Sequence, residues 1–228
     1  MFKRSFAALA AFSVAGLLSS AAGAAIYNDT VGDNFDGNAH MDITSVEVTN
    51  TATDITFKIN LNGDIAATNW GKYLVGIDTN GGTGDVGNPV GNPWGRNIRM
   101  SAGMDAFIGS WVDSGGGAQP WTYAGGSWTQ NGQYGPALAQ FSTTITVPLA
   151  SLNLSLNQTI NFDVYSSGGN GGDSANDAAG NLAQSTNGWS GPYDSGQNVL
   201  SYTIAIPEPV SMASIATIGG LALIRRRR

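Results

Sequence analysis

Between Asp54 and Asn62 apolar and polar side chains alternate without a break, with Ile55, Phe57, Ile59 and Leu61 on one side and Thr56, Lys58 and Asn60 on the other. A period of two puts successive side chains on opposite faces, so the segment reads as a strand with one buried face. The pattern returns in Phe141–Val147, where Phe141, Thr143, Ile145 and Val147 share a face. It returns again in Thr159–Tyr165, where Ile160, Phe162 and Val164 alternate with Asn161, Asp163 and Tyr165. Weaker strand patterns occupy Ile43–Thr49, Lys72–Thr79, Asn97–Ser101, Met104–Val112, Trp121–Ala124 and Val199–Ile204. Nothing in the body sustains apolar spacing at i, i+3, i+4 and i+7; Ile65–Trp70 and Pro148–Leu152 hold one helical turn each at most. Short strands joined by Gly, Asn and Asp turns predict an all-β fold, a single antiparallel β-sandwich of about nine strands. Two connections, Asn80–Gly95 and Ser166–Gln197, are long and rich in Gly and Asn, and loops of that length carry function or disorder.

The two ends differ from the body. Residues 1–25 begin with Lys3 and Arg4, continue through an apolar run from Phe6 to Leu18, and finish in the small residues Ser19–Ala25. That order predicts a secretory signal peptide, cleaved near Ala25; the apolar run is shorter than the roughly 20 residues a bilayer-spanning helix needs. Residues 206–228 read Ile206-Pro207-Glu208-Pro209, an apolar stretch from Val210 to Ile224, then Arg225, Arg226, Arg227 and Arg228. The apolar stretch is short for a permanent span, and the arginines after it would stay on the cytoplasmic side. Residues 26–205 remain as one domain, a size that supports a continuous core.

Between Ile26 and Ile206 stand four basic residues, Lys58, Lys72, Arg96 and Arg99, against fifteen acidic ones, a net charge of 4 − 15 = −11. A body of that sign will not seek nucleic acid. The chain has no cysteine, which excludes a disulfide frame, a thiolate metal site and a thiol nucleophile.

The C-terminal combination of Pro207-Glu208-Pro209, a short hydrophobic segment forming a sorting helix and a terminal arginine cluster resembles the PEP-CTERM sorting signal of Gram-negative bacteria. The resemblance covers the tail alone. It implies signal peptidase and an exosortase as processing partners and a precursor held transiently in the inner membrane. Release to the cell surface or extracellular matrix, as in biofilm, would follow; a tail anchor left in place is the alternative. A looser likeness spans the body. Asp42–Asn50 followed by Asp54–Ile59, the phrase Ile77-Asp78-Thr79-Asn80, Val147-Pro148-Leu149 and the late Trp189 and Tyr193 are similar to family-9 carbohydrate-binding-like and DOMON-like β-sandwiches. Such folds host sugar, haem and purely structural roles.

Sugars stack their C–H faces on aromatic rings while amides and carboxylates bond their hydroxyls. Trp94, Trp121, Tyr123, Trp128, Tyr134, Trp189 and Tyr193 lie in or beside Gly/Asn-rich segments and are the carbohydrate-binding candidates, or covers for the ends of the fold; Trp70 and Trp111 read as core. For a metal, Asp78, Asn80 and Asp85 place oxygens along a glycine-flexed loop suited to Ca²⁺, with an ordinary turn as the competing reading. Asp33 and Asp36 come next. The cluster Asp29, Asp33, Asp36 and Asp42 is either a solvated edge or half of a metal site that another loop must close. Catalysis has no positive motif: His40 is the one histidine, no Gly-x-Ser-x-Gly elbow exists, and Glu47 is the one glutamate of the body. A Ser-His-Asp hydrolase is therefore not expected. The expectation is a non-catalytic surface or matrix protein associated with exopolysaccharide; an extracellular carbohydrate-active hydrolase and a purely structural role are the alternatives.

Overall fold

The computed structural model describes residues 23–66, 69–79, 90–196 and 198–207. The expected leader, the tail from Glu208 onward including Pro209 and Arg225–Arg228, and the candidate ligands Asn80 and Asp85 lie outside the described residues. Among the described residues no helix is long and apolar enough to cross a membrane.

The chain is all-β. In order run β1 (Ala25–Asn28), β2 (Ile43–Asn50), β3 (Asp54–Leu61), β4 (Lys72–Asp78), β5 (Ile98–Arg99), β6 (Ala106–Trp111), β7 (Gly117–Ala124), β8 (Ser127–Gln130), β9 (Ala137–Ala139), β10 (Ser142–Pro148), β11 (Thr159–Ser167), β12 (Ala175–Ala178), β13 (Tyr193–Asp194) and β14 (Leu200–Thr203), with three short 3₁₀ turns between them. All nine segments with a strand pattern are strands. The five others, β1, β8, β9, β12 and β13, have four residues or fewer, too short for alternation to register.

One antiparallel sheet has the order β1-β2-β3-β10-β9. The other has the order β12-β11-β4-β6-β7-β8, with β14 also paired to β11, and a short parallel pair joins β5 to β13. Side chains from the first sheet (Val46, Val48, Ile55, Phe57, Ile59, Ile145, Val147) and the second (Tyr73, Val75, Ile77, Ile108, Ile160, Phe162, Val164) form one hydrophobic cluster. The alternation in β3, β10 and β11 supplies that cluster, with Phe141 as the exception: it stands just before β10 and is half exposed.

β11 departs from the half-buried expectation. Asp163 and Tyr165, on its other face, are both fully buried. The cause is a second apolar layer in which Leu74, Phe107 and Tyr165 of the sheet meet Ile98, Met100, Met104, Ala175, Ala178 and Tyr193. Those covering residues come from the long connections around 90–104 and 168–197, so the second connection carries β12 and β13 rather than bare loop. Asp163 tolerates this burial because three donors meet its carboxyl: the amides of Val164 and Gly180, and the Ser195 hydroxyl at 2.5 Å, which also pairs with the Tyr165 hydroxyl. Burial pushes the Asp163 carboxyl up to about 7.

Strand directions sort the loops into two ends. The starts of β2 and β4 and the close of β3 and β11 lie at one end. At the other, the buried Asn50 donates to the Ala205 carbonyl and accepts from the Ala205 amide and the Tyr202 hydroxyl, fixing the segment from which the chain leaves the body.

Candidate functional site

At the first end, the turn before β4 brings Trp70 opposite Trp189. With Gly168, Gly169, Asn170 and Asp173 these rings line a cleft of about 420 Å³. The two indoles meet edge to face, with centroids 5.6 Å apart at 71°. Each is propped from the β1–β2 connection: Phe35 packs on Trp189 at 4.8 Å, and His40 packs on Trp70 at 5.4 Å. Burial lowers the pKa of His40, which favours the neutral imidazole over the charged one at this packed position.

The polar wall is held from below by the buried Arg96. Its guanidinium donates to the Gly168 carbonyl at 2.6 Å and to the Asn170 carbonyl, and stands 3.8 Å from the Asp173 carboxylate. Asp173 in turn accepts from the Asn170 amide. The carbonyl of Trp189 accepts from the Ser174 amide at 2.7 Å, which ties that indole to the segment entering β12. Aromatic walls with an amide and a carboxylate at the rim are the mixed character of a sugar subsite. A second hollow of about 450 Å³, between the β3–β4 connection and β9, has Asp64, Ile65, Asn69, Val112, Leu138 and Gln140 in its lining and presents no aromatic ring among the described residues.

Of the aromatic candidates from the sequence, Trp189 alone lines this cleft, and Trp70, which reads as core, is its partner. The others are placed elsewhere. Trp94 lies over Gly109, against Phe107 and Trp111, with the Arg96 guanidinium 5.9 Å from its ring. Trp121 is half-buried against the second apolar layer. Tyr123 and Trp128 pair with each other across the β7–β8 hairpin. Tyr134 packs against the main core and shares a hydrogen bond of 3.0 Å with the Ser151 hydroxyl. Tyr193 is 4% exposed and packs on Tyr165, so its ring belongs to the core rather than to a binding surface. No local signal separates Trp70 from Trp94; the fold lays Trp94 over Gly109 and turns Trp70 into the cleft.

Of the metal candidates, Asp78 closes β4 at 1% exposure. Asp36 is taken up as a loop organiser, accepting from the side chains of Asn34 and Asn176 and from the Asn38 amide. A different constellation is assembled beside the cleft. Asp29 follows β1, Asp33 lies in the β1–β2 connection and Asp177 lies in β12, and one carboxylate oxygen from each falls within 4.8 Å of the others. Asp177 is fully buried, accepting from the amides of Ile43 at 2.6 Å and Ala178 at 2.8 Å. Asp42 stands nearby but is occupied by the Gly32 amide and the Asn62 side chain. Burial, then the neighbouring carboxylates, pushes Asp177 up to about 8; burial pushes Asp29 up to about 7 and raises Asp33 as well. Thus the acidic run before β2 is closed by another part of the chain, and the closing residue lies 134 positions beyond Ile43, where no spacing rule reaches.

The chain matches no protein-family model and no curated protein.

Proposed function

We propose that this chain is an exported, non-catalytic protein of the cell surface or extracellular matrix, and that its body is a single β-sandwich that binds exopolysaccharide in the Trp70–Trp189 cleft. The observation that carries the reading is the pair of propped indoles facing Asn170 and Asp173. Glycoside cleavage uses two carboxyl groups flanking the bond, and one carboxylate, Asp173, lines the cleft among the described residues, which favours binding over hydrolysis. The signal-peptide pattern of residues 1–25 and the PEP-CTERM-like tail of residues 206–228 supply the route: signal peptidase at the start, an exosortase near Pro207–Pro209 at the end.

Two measurements test it. Purified protein is assayed against a panel of bacterial polysaccharides for retention and for released product. Binding by the wild type that Trp189→Ala and Trp70→Ala each weaken about tenfold, the equivalent of about 1.4 kcal/mol, supports the reading. Product release that survives purification would replace it with a hydrolase, and neither binding nor turnover would replace it with a structural role. Intact mass of the protein from its native host tests the route; Arg225–Arg228 retained on most molecules would overturn processing.

A further inference from the structure

The acidic constellation beside the cleft is distinguished from an ordinary charged edge by what its oxygens lack. Asp29 and Asp33 are partly exposed as residues and Asp29 Oδ1 accepts from the Thr30 amide, but Asp29 Oδ2 and both carboxylate oxygens of Asp33 are sealed from solvent and receive no hydrogen bond from another residue. The third member, Asp177, has no exposed surface. Buried polar atoms are almost always paired, and a buried carboxylate without a donor is costly unless a charge meets it. No protein cation does so, because the ion pairs among the described residues are Lys58–Glu47, Lys72–Asp113 and Arg96–Asp173. Oxygens on opposite sides of a calcium ion stand about 4.8 Å apart, twice a bond of roughly 2.4 Å, and calcium is the ion that takes several carboxylates directly, whereas magnesium keeps more of its waters. The carboxylate oxygens of Asp29, Asp33 and Asp177, all within 4.8 Å of one another, are close enough to share one such ion.

We propose that Asp29, Asp33 and Asp177 bind one calcium ion that clamps the β1–β2 connection onto β12. The clamp adds to a contact already present, the Phe35 amide donating to the Asn176 carbonyl at 3.1 Å. Phe35 is also the ring beneath Trp189, so the ion braces one wall of the cleft whether or not that cleft takes a glycan. Ligands beyond the three carboxylates would come from backbone carbonyls or water, as calcium commonly accepts.

The test is the thermal melt of the full chain stripped with chelator, then supplied with calcium chloride, magnesium chloride, or sodium chloride of equal ionic strength, with no polysaccharide present. At a hundredfold excess over its dissociation constant, calcium should raise the midpoint by roughly 5–10 °C, and the other two salts by much less. Asp33→Asn should abolish the calcium shift while melting, metal-free, at or above the wild type, because it removes a repelling charge that no other residue bonds. A role in folding alone would lower that metal-free melt instead. Asp29→Asn is the second variant, and calorimetric titration of calcium into the stripped wild type should give one site that neither variant retains. Equal shifts from calcium and sodium chloride, or a full calcium response in both variants, would overturn the assignment.

Discussion

Gly109 sits in the middle of β6 with the Trp94 indole pressed against it. A Cβ at this position would lie 2.2 Å from Trp94 Cζ2, 2.3 Å from Cε2 and 2.6 Å from Cη2. These are atoms of a rigid bicyclic ring, so Gly109→Ala must displace the indole by roughly 1 Å or more to restore ordinary contact of roughly 3.5 Å. The ring has little room to move, since Phe107 and Trp111 flank it at 5.9 and 6.1 Å. Overpacking of this kind costs about 1–3 kcal/mol. The lower entropy of the unfolded alanine chain offsets about 0.5–1 kcal/mol of that. The net loss, at most about 2.5 kcal/mol and centred on about 1.25, corresponds at that centre to a fall in Tm of roughly 2–5 °C for a body of this size. Differential scanning calorimetry reads it, with Gly135→Ala as the control: nothing lies within 4 Å of a Cβ there, so the same chain-entropy gain stands unopposed and its melt should hold or rise by up to roughly 4 °C. Trp94→Phe in the Gly109→Ala background should recover part of the loss, because a smaller ring fits above the added methyl. Gly109→Ala melting with the control would refute the claim that Trp94 is a fixed cover of the sheet and return it to the carbohydrate-binding candidates.

Other expectations follow from buried polar groups. Asp163 is raised from 3.8 to about 7 by burial, so its folded form holds the proton more tightly than the unfolded chain. The stability this gives is present below about pH 4 and is lost as pH rises towards 7, by on the order of 4 kcal/mol. Asp163→Asn should therefore come closest to the wild type below about pH 4 and melt above it at pH 8; a parallel fall in both melts would sink the argument. Asn50 is 1% exposed and holds Ala205 and Tyr202 through three hydrogen bonds. Asn50→Ala should cost roughly 2–4 kcal/mol and speed amide exchange at residues 200–205 ahead of β3; exchange unchanged at those amides would show that the C-terminal strand does not depend on it.

What could be read from the sequence follows the geometry of each element. β3 was legible because its outer face meets water, so burial and polarity alternate in step. β11 was legible on its inner face alone: Asp163 and Tyr165 look solvent-facing by polarity, yet a later segment covers them, and polar residues with internal donors are indistinguishable in sequence from exposed ones. Ala175–Ala178 in β12 carries Asn176 and Asp177, both fully buried, and gives no strand pattern at all. In the cleft, Trp189 was recognisable by its Gly/Asn-rich setting, whereas Trp70 beside the strand pattern of β4 was not. The Asp29–Asp42 run reads either as a solvated edge or as half of a metal site; that Asp177 comes to stand with Asp29 and Asp33 depends on β12 pairing with β11, which is a fact of topology.

The two ends of the body acquire a meaning when the chain is imagined held by its tail. Asn50 ties the departing segment down beside the turn between β2 and β3, while Trp70, Trp189 and the three aspartates gather where β2 begins and β11 ends. β11 runs the distance between, nine residues, which at roughly 3.3 Å each is about 25–30 Å. A molecule standing on its C-terminus would therefore present the indoles outward, at the far pole from whatever surface it stands on. On the proposed reading, the fold would act as a short post with its gripping face on top, aimed at exopolysaccharide before any cut near Pro207–Pro209.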